Sequence, residues 1–221
     1  RSGKVQGVVL PGSAAMNIAK ETRMESVIRV EGVVNKRPEK NMQTGKQNGD
    51  IELEVKVIEV LSPSEVLPFD KDAELNLDTY LDNLPITLRR PQARATFKVQ
   101  AEIVKAYRTF LDGEHFTEFQ SPKLTGDDAE GGANVFSVPY FYGKTAHLGT
   151  SPQFYKQIMV GIFERVYTIG NVFRAEKHST TRHLNEYTSM DVEMGFINDH
   201  HDIMELEIRL MRHLIEHLRT T

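Results

Sequence analysis

The residues best suited to chemistry lie in the stretch FRAEKHSTTRHLNEYTSMDVEM. Arg174 and Glu176 are two positions apart on a β-like run, so they point to the same face of a strand. Arg182 and His183 follow a few turn-forming residues later, and Tyr187 lies on a second β-like run. Guanidinium groups bind phosphate oxygens as forks, and an aromatic ring offers a flat surface to a base. The pattern predicts a hairpin that binds a nucleotide; the alternative is an exposed charged hairpin.

A second group of candidates precedes that hairpin. Gln153 and Lys156 lie three residues apart in a helix-like run and therefore share one helical face. Lys156 is suited to pairing with a carboxylate, although a single lysine is usually a solvated surface charge. Residues 126–134, GDDAEGGAN, are small, acidic and glycine-rich, which is typical of a mobile loop. Glu130 in this loop is either a substrate-binding residue or an exposed loop acid.

A third pattern, HLIEH, places His213, Glu216 and His217 at the spacing of an inverted zinc-protease motif. Zinc needs a third protein ligand, and few residues follow His217. We therefore expect no metal site here and interpret the histidines as a solvated face. The opposite face is predicted to be a buried apolar stripe of helical spacing, formed by Met204, Ile208, Met211, Ile215 and Leu218.

Two regions with different periodicity position these residues. Residues 1–69 contain short β-rich runs at 4–10 and 27–34, and apolar and charged side chains alternate from Ile51 to Val57. This pattern favours a small barrel or sandwich. Residues 70–90 carry charges and prolines without a sustained period, which is typical of a hinge.

Residues 91–221 have the pattern of a larger α+β domain. Apolar residues three or four apart predict an amphipathic helix at 95–111, and Asp199 is a plausible cap of the last helix. Further runs predict part of an antiparallel sheet flanked by helices: strands at 115–120, 145–148, 166–173 and 186–197, and a helix at 152–163.

Composition narrows the function classes. Of the 221 residues, 39% are hydrophobic and 26% are charged, which is ordinary for a soluble protein. The net charge of −4 argues against nucleic-acid binding through the overall charge of the protein. No apolar run approaches the roughly 20 residues of a membrane span, so no membrane association is expected. The absence of cysteine excludes a disulfide framework, and we expect a cytoplasmic protein.

Several of these stretches resemble the class II aminoacyl-tRNA synthetases. FRAE and RHLNEYTSMDVEM resemble motif 2, most closely that of the archaeal and eukaryotic aspartyl enzymes. RRPQARATFKVQAEIVKAYRTFLDGEHFTEFQSPKL resembles motif 1, with Pro122 as its characteristic proline. EGG and SPQFYKQ resemble other parts of the same domain. SGKVQGVVLPG and IRVEGVV resemble the oligonucleotide-binding (OB) barrel that recognises the anticodon, so residues 1–69 are expected to be a partial OB-type barrel.

The resemblance implies an aspartate–tRNA ligase. ATP would activate L-aspartate as aspartyl-adenylate, and the aspartyl group would then be transferred to tRNA. By position, Arg174 would hold the ATP α-phosphate and the substrate carboxylate, where charge develops during the attack. Glu176 would bind the adenine amino group or orient the tRNA terminus. Tyr187 would stack on adenine, in a place where the family usually has phenylalanine.

The remaining roles are implied in the same way. Arg182 and His183 would engage the γ-phosphate end of ATP, with Leu184 alongside. Lys156 would pair with the side-chain carboxylate of aspartate, and Gln153 would take its ammonium group. Further roles fall to Glu130, which would close over the substrate ammonium, and Gln6, which would contact the central anticodon base.

The chain begins at Arg1 and ends within a periodic helix, so a fragment is expected, without motif 3 and inactive by itself. Ligands for Mg²⁺ are expected in the part that is missing. Motif 1, residues 97–124, is expected to form a homodimer interface. Two alternatives stay open: an asparaginyl-tRNA synthetase, and a non-catalytic tRNA-binding module.

Overall fold

A computed structural model describes residues 3–70, 72–126, 134–178, 180 and 182–221. It divides into two compact units, Arg1–Thr79 and Tyr80–Thr221. Residues 70–90, which were predicted to form a hinge, span the boundary between these units and include two short helices, α2 (Leu77–Asp82) and α3 (Leu84–Thr87). None of the helices in the described ranges is long and apolar enough to cross a membrane.

The first unit is a three-stranded sheet with one helix. Its strands have the order β1-β3-β2; β1 is parallel to β3, and β2 is antiparallel to it. A small core forms where Ala15, Val55 and Ile58 are buried together. The elements are β1 (Gln6–Val8), α1 (Ala15–Glu21), β2 (Val27–Lys36) and β3 (Ile51–Ser62).

A bulge in β2 explains one glycine of this sheet. The register shifts between Glu31 and Gly32, which brings Gly32 against the β3 backbone. A Cβ atom at Gly32 would lie 2.2 Å from the carbonyl oxygen of Glu54, a distance that no side chain tolerates. Glycine is therefore required where the strand bends and the backbones approach.

The second unit combines helices with two small sheets, and its mixed α+β character confirms the predicted fold class. One sheet has the order β4-β8-β9 and the other β5-β7-β6. The predicted helices and strands are all present, with ends that differ by a few residues. The elements are α4 (Pro91–Gly113), β4 (Thr117–Glu118), β5 (Leu124–Thr125), β6 (Ser137–Pro139), β7 (Thr145–Leu148), α5 (Gln153–Phe163), β8 (Arg165–Phe173), β9 (Glu186–Met194) and α6 (His200–Thr220).

Strands β8 and β9 form the central hairpin of this unit, paired from Arg165↔Met194 to Phe173↔Glu186. One face, called the helix face here, packs against α4 and α6. Leu111 of α4 and Leu206 of α6 are buried there with Tyr167 of β8. The predicted cap of α6 is confirmed, because Asp199 Oδ1 accepts a hydrogen bond from the His201 backbone at 2.7 Å.

The buried stripe predicted for α6 is wrong. Leu206, Leu210 and Leu214 are the residues buried against the rest of the unit, whereas Ile208 and Ile215 are 47% and 54% exposed. Two apolar stripes of helical spacing run along α6, and the spacing of residues does not say which of them faces the core. The side chains of α4 and β8 decide this.

Candidate active site

The other face of the β8–β9 hairpin carries the charged residues and is called the site face here. Side chains alternate along a strand, so Tyr187, Ser189, Asp191 and Glu193 share this face, opposite to the partly buried Val192. Asp191 and Tyr187 are four residues apart, which corresponds to about 13 Å along the strand. A ligand that reaches both ends must therefore be extended.

Lys156 projects from α5 onto one end of the site face and is 7% exposed. Its Nζ lies 3.1 Å from Asp191 Oδ1 and 3.4 Å from Glu193 Oε2. Ser189 Oγ also donates to Asp191. An ammonium group has three donors, so one remains for a further acceptor. This placement excludes a solvated surface charge for Lys156.

Arg174 directly follows β8 at the opposite end of the site face. Its backbone N–H donates to the Asn185 carbonyl at 2.9 Å, which continues the hairpin pairing by one residue. Its Nε atom is buried and has no hydrogen-bond partner within the described ranges. Buried donors are nearly always paired, so this one is suited to an anionic ligand. Glu176, two residues further on, is half-buried.

The turn between the strands places the other nucleotide candidates near the surface. Arg182, His183 and Leu184 are exposed, and Leu184 is 64% exposed. His183 Nδ1 lies 2.6 Å from Thr180 Oγ1, so this imidazole is already engaged. Tyr187 is half-buried on β9 and lies opposite Val172. Its place on the site face agrees with a stacking role.

Gln153 begins α5 on the same helical face as Lys156. Its backbone N–H is capped by Ser151 Oγ at 3.0 Å, so the preceding SP pair starts the helix. Glu130, predicted to close over the substrate, lies outside the described residues. The structure therefore brings Lys156, Tyr187 and Arg174 to one strand pair, and Gln153 lies beside Lys156.

Lys123 is a further cation on the site face. Its Nζ donates to Ser121 Oγ at 2.8 Å. A Cβ atom added to Gly170 of β8 would lie 3.1 Å from both Cε and Nζ of Lys123, so the side chain crosses directly above that glycine. Burial lowers the pKa of the Lys123 ammonium, and the nearby Asp191 carboxylate opposes this effect.

Gln6 lies in the first unit, in a cavity of about 370 Å³ that is also lined by Lys40 and Glu52. Arg37 is buried and donates from Nη2 to Gln6 Oε1 at 2.7 Å, while its Nε donates to the Ile51 carbonyl. With its oxygen engaged, the Gln6 amide presents its NH₂ group to the cavity. This group can donate to the edge of a base.

The histidines of the HLIEH pattern do not form a solvated face, and that interpretation is wrong. His217 Nε2 lies 2.7 Å from Glu102 Oε2 on α4, and the His213 ring packs against Phe110. Glu216 is exposed on another side of α6. Both histidines turn toward α4 because they lie near the side of the helix on which Leu210 and Leu214 are buried.

Sequence reasoning missed Asp191, Glu193 and Lys123. The first two could have been found, because strict alternation places them on the face of Tyr187. Lys123 had no such signal. Its position depends on the pairing of β5 with β7 and on the glycine at 170, neither of which is a local property of the sequence around it.

Comparison with known proteins agrees with this fold. The sequence model of the tRNA synthetases of class II (D, K and N) matches residues 76–221. The chain belongs to this family.

Two relatives are named aspartate–tRNA(Asp/Asn) ligases. The enzyme of Deinococcus radiodurans is 47% identical over 89% of this chain and 44% of its own length. That of Thermus thermophilus is 45% identical over 100% of this chain and 50% of its own length. The chain therefore spans about half the length of the curated relatives it matches.

Two solved structures are similar as well. Asparaginyl-tRNA synthetase from Pyrococcus horikoshii, in complex with asparaginyl-adenylate, has a TM-score of 0.85 and 30% identity, covering 96% of this chain and 48% of that one. A putative aspartyl-tRNA synthetase from Leishmania major has a TM-score of 0.86 and 32% identity, covering 99% and 45%.

Proposed function

We propose that the full-length protein is an aspartate–tRNA ligase. The α-carboxylate of L-aspartate attacks the α-phosphorus of ATP, pyrophosphate leaves, and aspartyl-adenylate forms. A hydroxyl at the tRNA 3′ end then attacks the aspartyl carbonyl and AMP leaves. The observation that carries this proposal is the site face, with the buried Lys156 at one end and, at the other, an Arg174 Nε that has no partner in the part of the chain that the structure describes.

The chemistry of an adenylate fits the length and polarity of this face. Arg174 would bind the α-phosphate and the reacting carboxylate, and Tyr187 would stack on adenine about 13 Å from Asp191. Glu176 would bind the adenine amino group or orient the tRNA end. Arg182 and His183, with Leu184 alongside, would engage the γ-phosphate end of ATP from the exposed turn.

The amino acid would bind at the other end of the site face. Lys156 would donate its third N–H to the side-chain carboxylate, Gln153 would accept from the ammonium group, and Glu130 would close over it. Mg²⁺ would accompany ATP and supply positive charge to its phosphates. No ligands for Mg²⁺ are assigned among the described residues.

The same proposal includes two binding partners, tRNA and a second copy of the protein. Gln6 would donate to the central anticodon base of tRNA from the first unit. Motif 1 would form a homodimer, and Phe97 and Val99 at the beginning of α4 are exposed apolar residues that a second copy would cover. Sedimentation of the full-length protein at micromolar concentration should then give a dimer; a monomer would contradict this part. A cytoplasmic location belongs to the proposal too.

The test of the proposed activity is aspartate-dependent pyrophosphate exchange by the full-length protein, with and without Lys156→Leu. We expect exchange by the wild type, and a loss of aspartate efficiency of roughly a hundredfold or more in the variant at nearly unchanged ATP affinity. Because leucine leaves Asp191 and Glu193 without a counter-ion, Lys156→Arg is the matched variant that keeps the charge. Wild-type aspartate efficiency in Lys156→Leu would exclude Lys156 from aspartate binding.

Asparagine activation is the second candidate, favoured by the similarity to an asparaginyl enzyme. A lysine without a counter-ion would disfavour a neutral amide, but Lys156 already has two carboxylate partners. Lys156 alone therefore does not decide between the acid and the amide. A non-catalytic tRNA-binding role is the candidate for the present chain by itself, and tRNA binding without exchange would identify it.

A further inference from the structure

We infer that Lys123 is a specificity-determining residue, which makes the amino-acid end of the site face suitable for a side-chain carboxylate rather than an amide. This inference rests on the proposed function. It adds a second lysine to the amino-acid pocket, one that lies immediately before β5 and not on α5.

The first argument is the charge of the pocket. Lys156 carries one positive charge, and its partners Asp191 and Glu193 carry two negative charges. These three groups together have a net charge of −1, which repels a substrate carboxylate and tolerates an amide. A further cation beside these groups favours a carboxylate over an amide in such a partly buried place.

The second argument is the position of Lys123. Its ammonium lies above Gly170, which pairs with Ser189, and Asp191 pairs with Thr168 two residues along the strand. This spacing corresponds to about 7 Å. Arg174 is six residues from Thr168, about 20 Å along the strand, and is placed for the phosphate end. Among the described residues, Lys123 is therefore a cation close to the Lys156 cluster.

The third argument is that Lys123 is held in place but not neutralised. The Lys123 carbonyl accepts from Gly149 N–H at 2.9 Å, and the Gly149 carbonyl accepts from Phe173 N–H at 3.0 Å, which ties the backbone to β8. Its Nζ has one hydrogen bond, to the Ser121 hydroxyl, and no ion pair with a described residue. Two donors of a half-buried ammonium remain for a ligand.

The fourth argument is the glycine beneath it. Any side chain at position 170 would meet the Lys123 Cε and Nζ atoms at 3.1 Å or closer. A strand interior is otherwise weakened by glycine, so its presence here marks a close approach. Because Gly170 has no side chain, the Lys123 side chain can lie across the site face at this position.

The experiment compares Lys123→Met with wild type in the full-length protein, measuring pyrophosphate exchange with aspartate and with asparagine. We expect kcat/KM for aspartate to fall about 10- to 100-fold, with the ATP KM within about twofold. The ratio of asparagine to aspartate efficiency should rise by a similar factor. Lys123→Arg should restore most of the aspartate efficiency, and Lys20→Met, an exposed lysine of α1, is the control for charge removal.

Gly170→Ala is the second variant, because it keeps the charge and displaces the ammonium. We expect an intermediate loss of aspartate efficiency, about 3- to 10-fold, without a loss of fold. An unchanged asparagine-to-aspartate ratio in Lys123→Met, or equal losses with aspartate and ATP that Lys123→Arg does not restore, would overturn the inference alone. A wild-type protein without aspartate-dependent exchange would overturn the proposed function and this inference with it.

Discussion

The two faces of the β8–β9 hairpin have the same backbone but opposite chemistry. On the helix face, Tyr167 lies with its hydroxyl 3.0 Å from Asp112 Oδ1 and 3.1 Å from Glu118 Oε2. Glu118 in turn accepts two hydrogen bonds from Arg108. On the site face, Arg174 has a buried Nε donor without a partner among the described residues. Tyr167, Glu118 and Arg108 thus satisfy one another on the helix face, whereas Arg174 keeps a donor that a ligand can use.

This comparison predicts that the two faces respond separately to substitution. A change on the helix face should lower the free energy of unfolding and leave the exchange activity per folded molecule unchanged. A change on the site face should lower the exchange activity per folded molecule and leave the free energy of unfolding unchanged. Each of the following variants tests this separation.

The largest effect is expected for Leu111→Ala on the helix face. Leu111 is fully buried, and its truncation leaves a cavity against Tyr167 and α6. We expect the free energy of unfolding to fall by about 3–5 kcal/mol, measured by urea denaturation. The matched control is Ile215→Ala, an exposed residue of α6, which should change it by less than about 1 kcal/mol. Equal effects of the two variants would contradict the assignment of the core stripe.

Arg174→Lys is the corresponding change on the site face. Lysine keeps the charge but loses the planar fork that binds an α-phosphate at two points. We expect kcat for exchange by the full-length protein to fall about 100-fold, equivalent to about 2.7 kcal/mol of transition-state stabilisation. The urea midpoint should hardly move. A large loss of stability at retained exchange would place Arg174 in the scaffold.

Glu118→Gln tests the polar network of the helix face through its pH dependence. The hydrogen bonds from Arg108 hold the pKa of the Glu118 carboxyl below its ordinary value of 4.5. Its contribution to stability, about 1 kcal/mol, is therefore present above pH 4.5 and is lost as the pH falls through the lower folded-state pKa. Urea denaturation should show wild type more stable than the variant at pH 7, and the difference should shrink below pH 4. A difference independent of pH would exclude the ion pair as its source.

The smallest effect is expected for Tyr187→Phe. Phenylalanine keeps the ring face, so the ATP KM of the full-length protein should change by less than about twofold. Tyr187→Leu removes the aromatic face and should raise the ATP KM about fivefold or more, since such stacking contributes about 1 kcal/mol or more. If leucine and phenylalanine behave alike, Tyr187 does not stack on adenine.

The sequence predicted the elements well where one periodicity was dominant. The β8 strand was predicted at 166–173 and is observed at Arg165–Phe173. The prediction for α6 failed at the level of orientation, because Met211 and Leu210 belong to different stripes of nearly equal apolarity. Periodicity indicates that a helix has an apolar face. Which of two apolar faces is buried depends on the elements against which the helix packs.

The candidate site was predicted from residue types and their spacing. This reasoning likewise did not identify partners that are distant in the sequence. Lys156 was predicted to lie on a helix and does so, but its carboxylate partners Asp191 and Glu193 lie on a strand, 35 and 37 positions further along the chain. Long-range pairing of this kind has no local signal. The same holds for Lys123 above Gly170, since β5 and β8 belong to different sheets.

The strict alternation of the β8–β9 hairpin has a consequence for how this segment can change in evolution. Insertion or deletion of one residue within β9 would move Met190 and Val192 onto the site face and turn Asp191 toward the leucines of α6. The apolar packing of the helix face and the charged groups of the site face would both be lost, although no residue had been substituted. Lineages of this protein should therefore vary here by substitution, and length changes should be confined to the turn between Phe173 and Glu186.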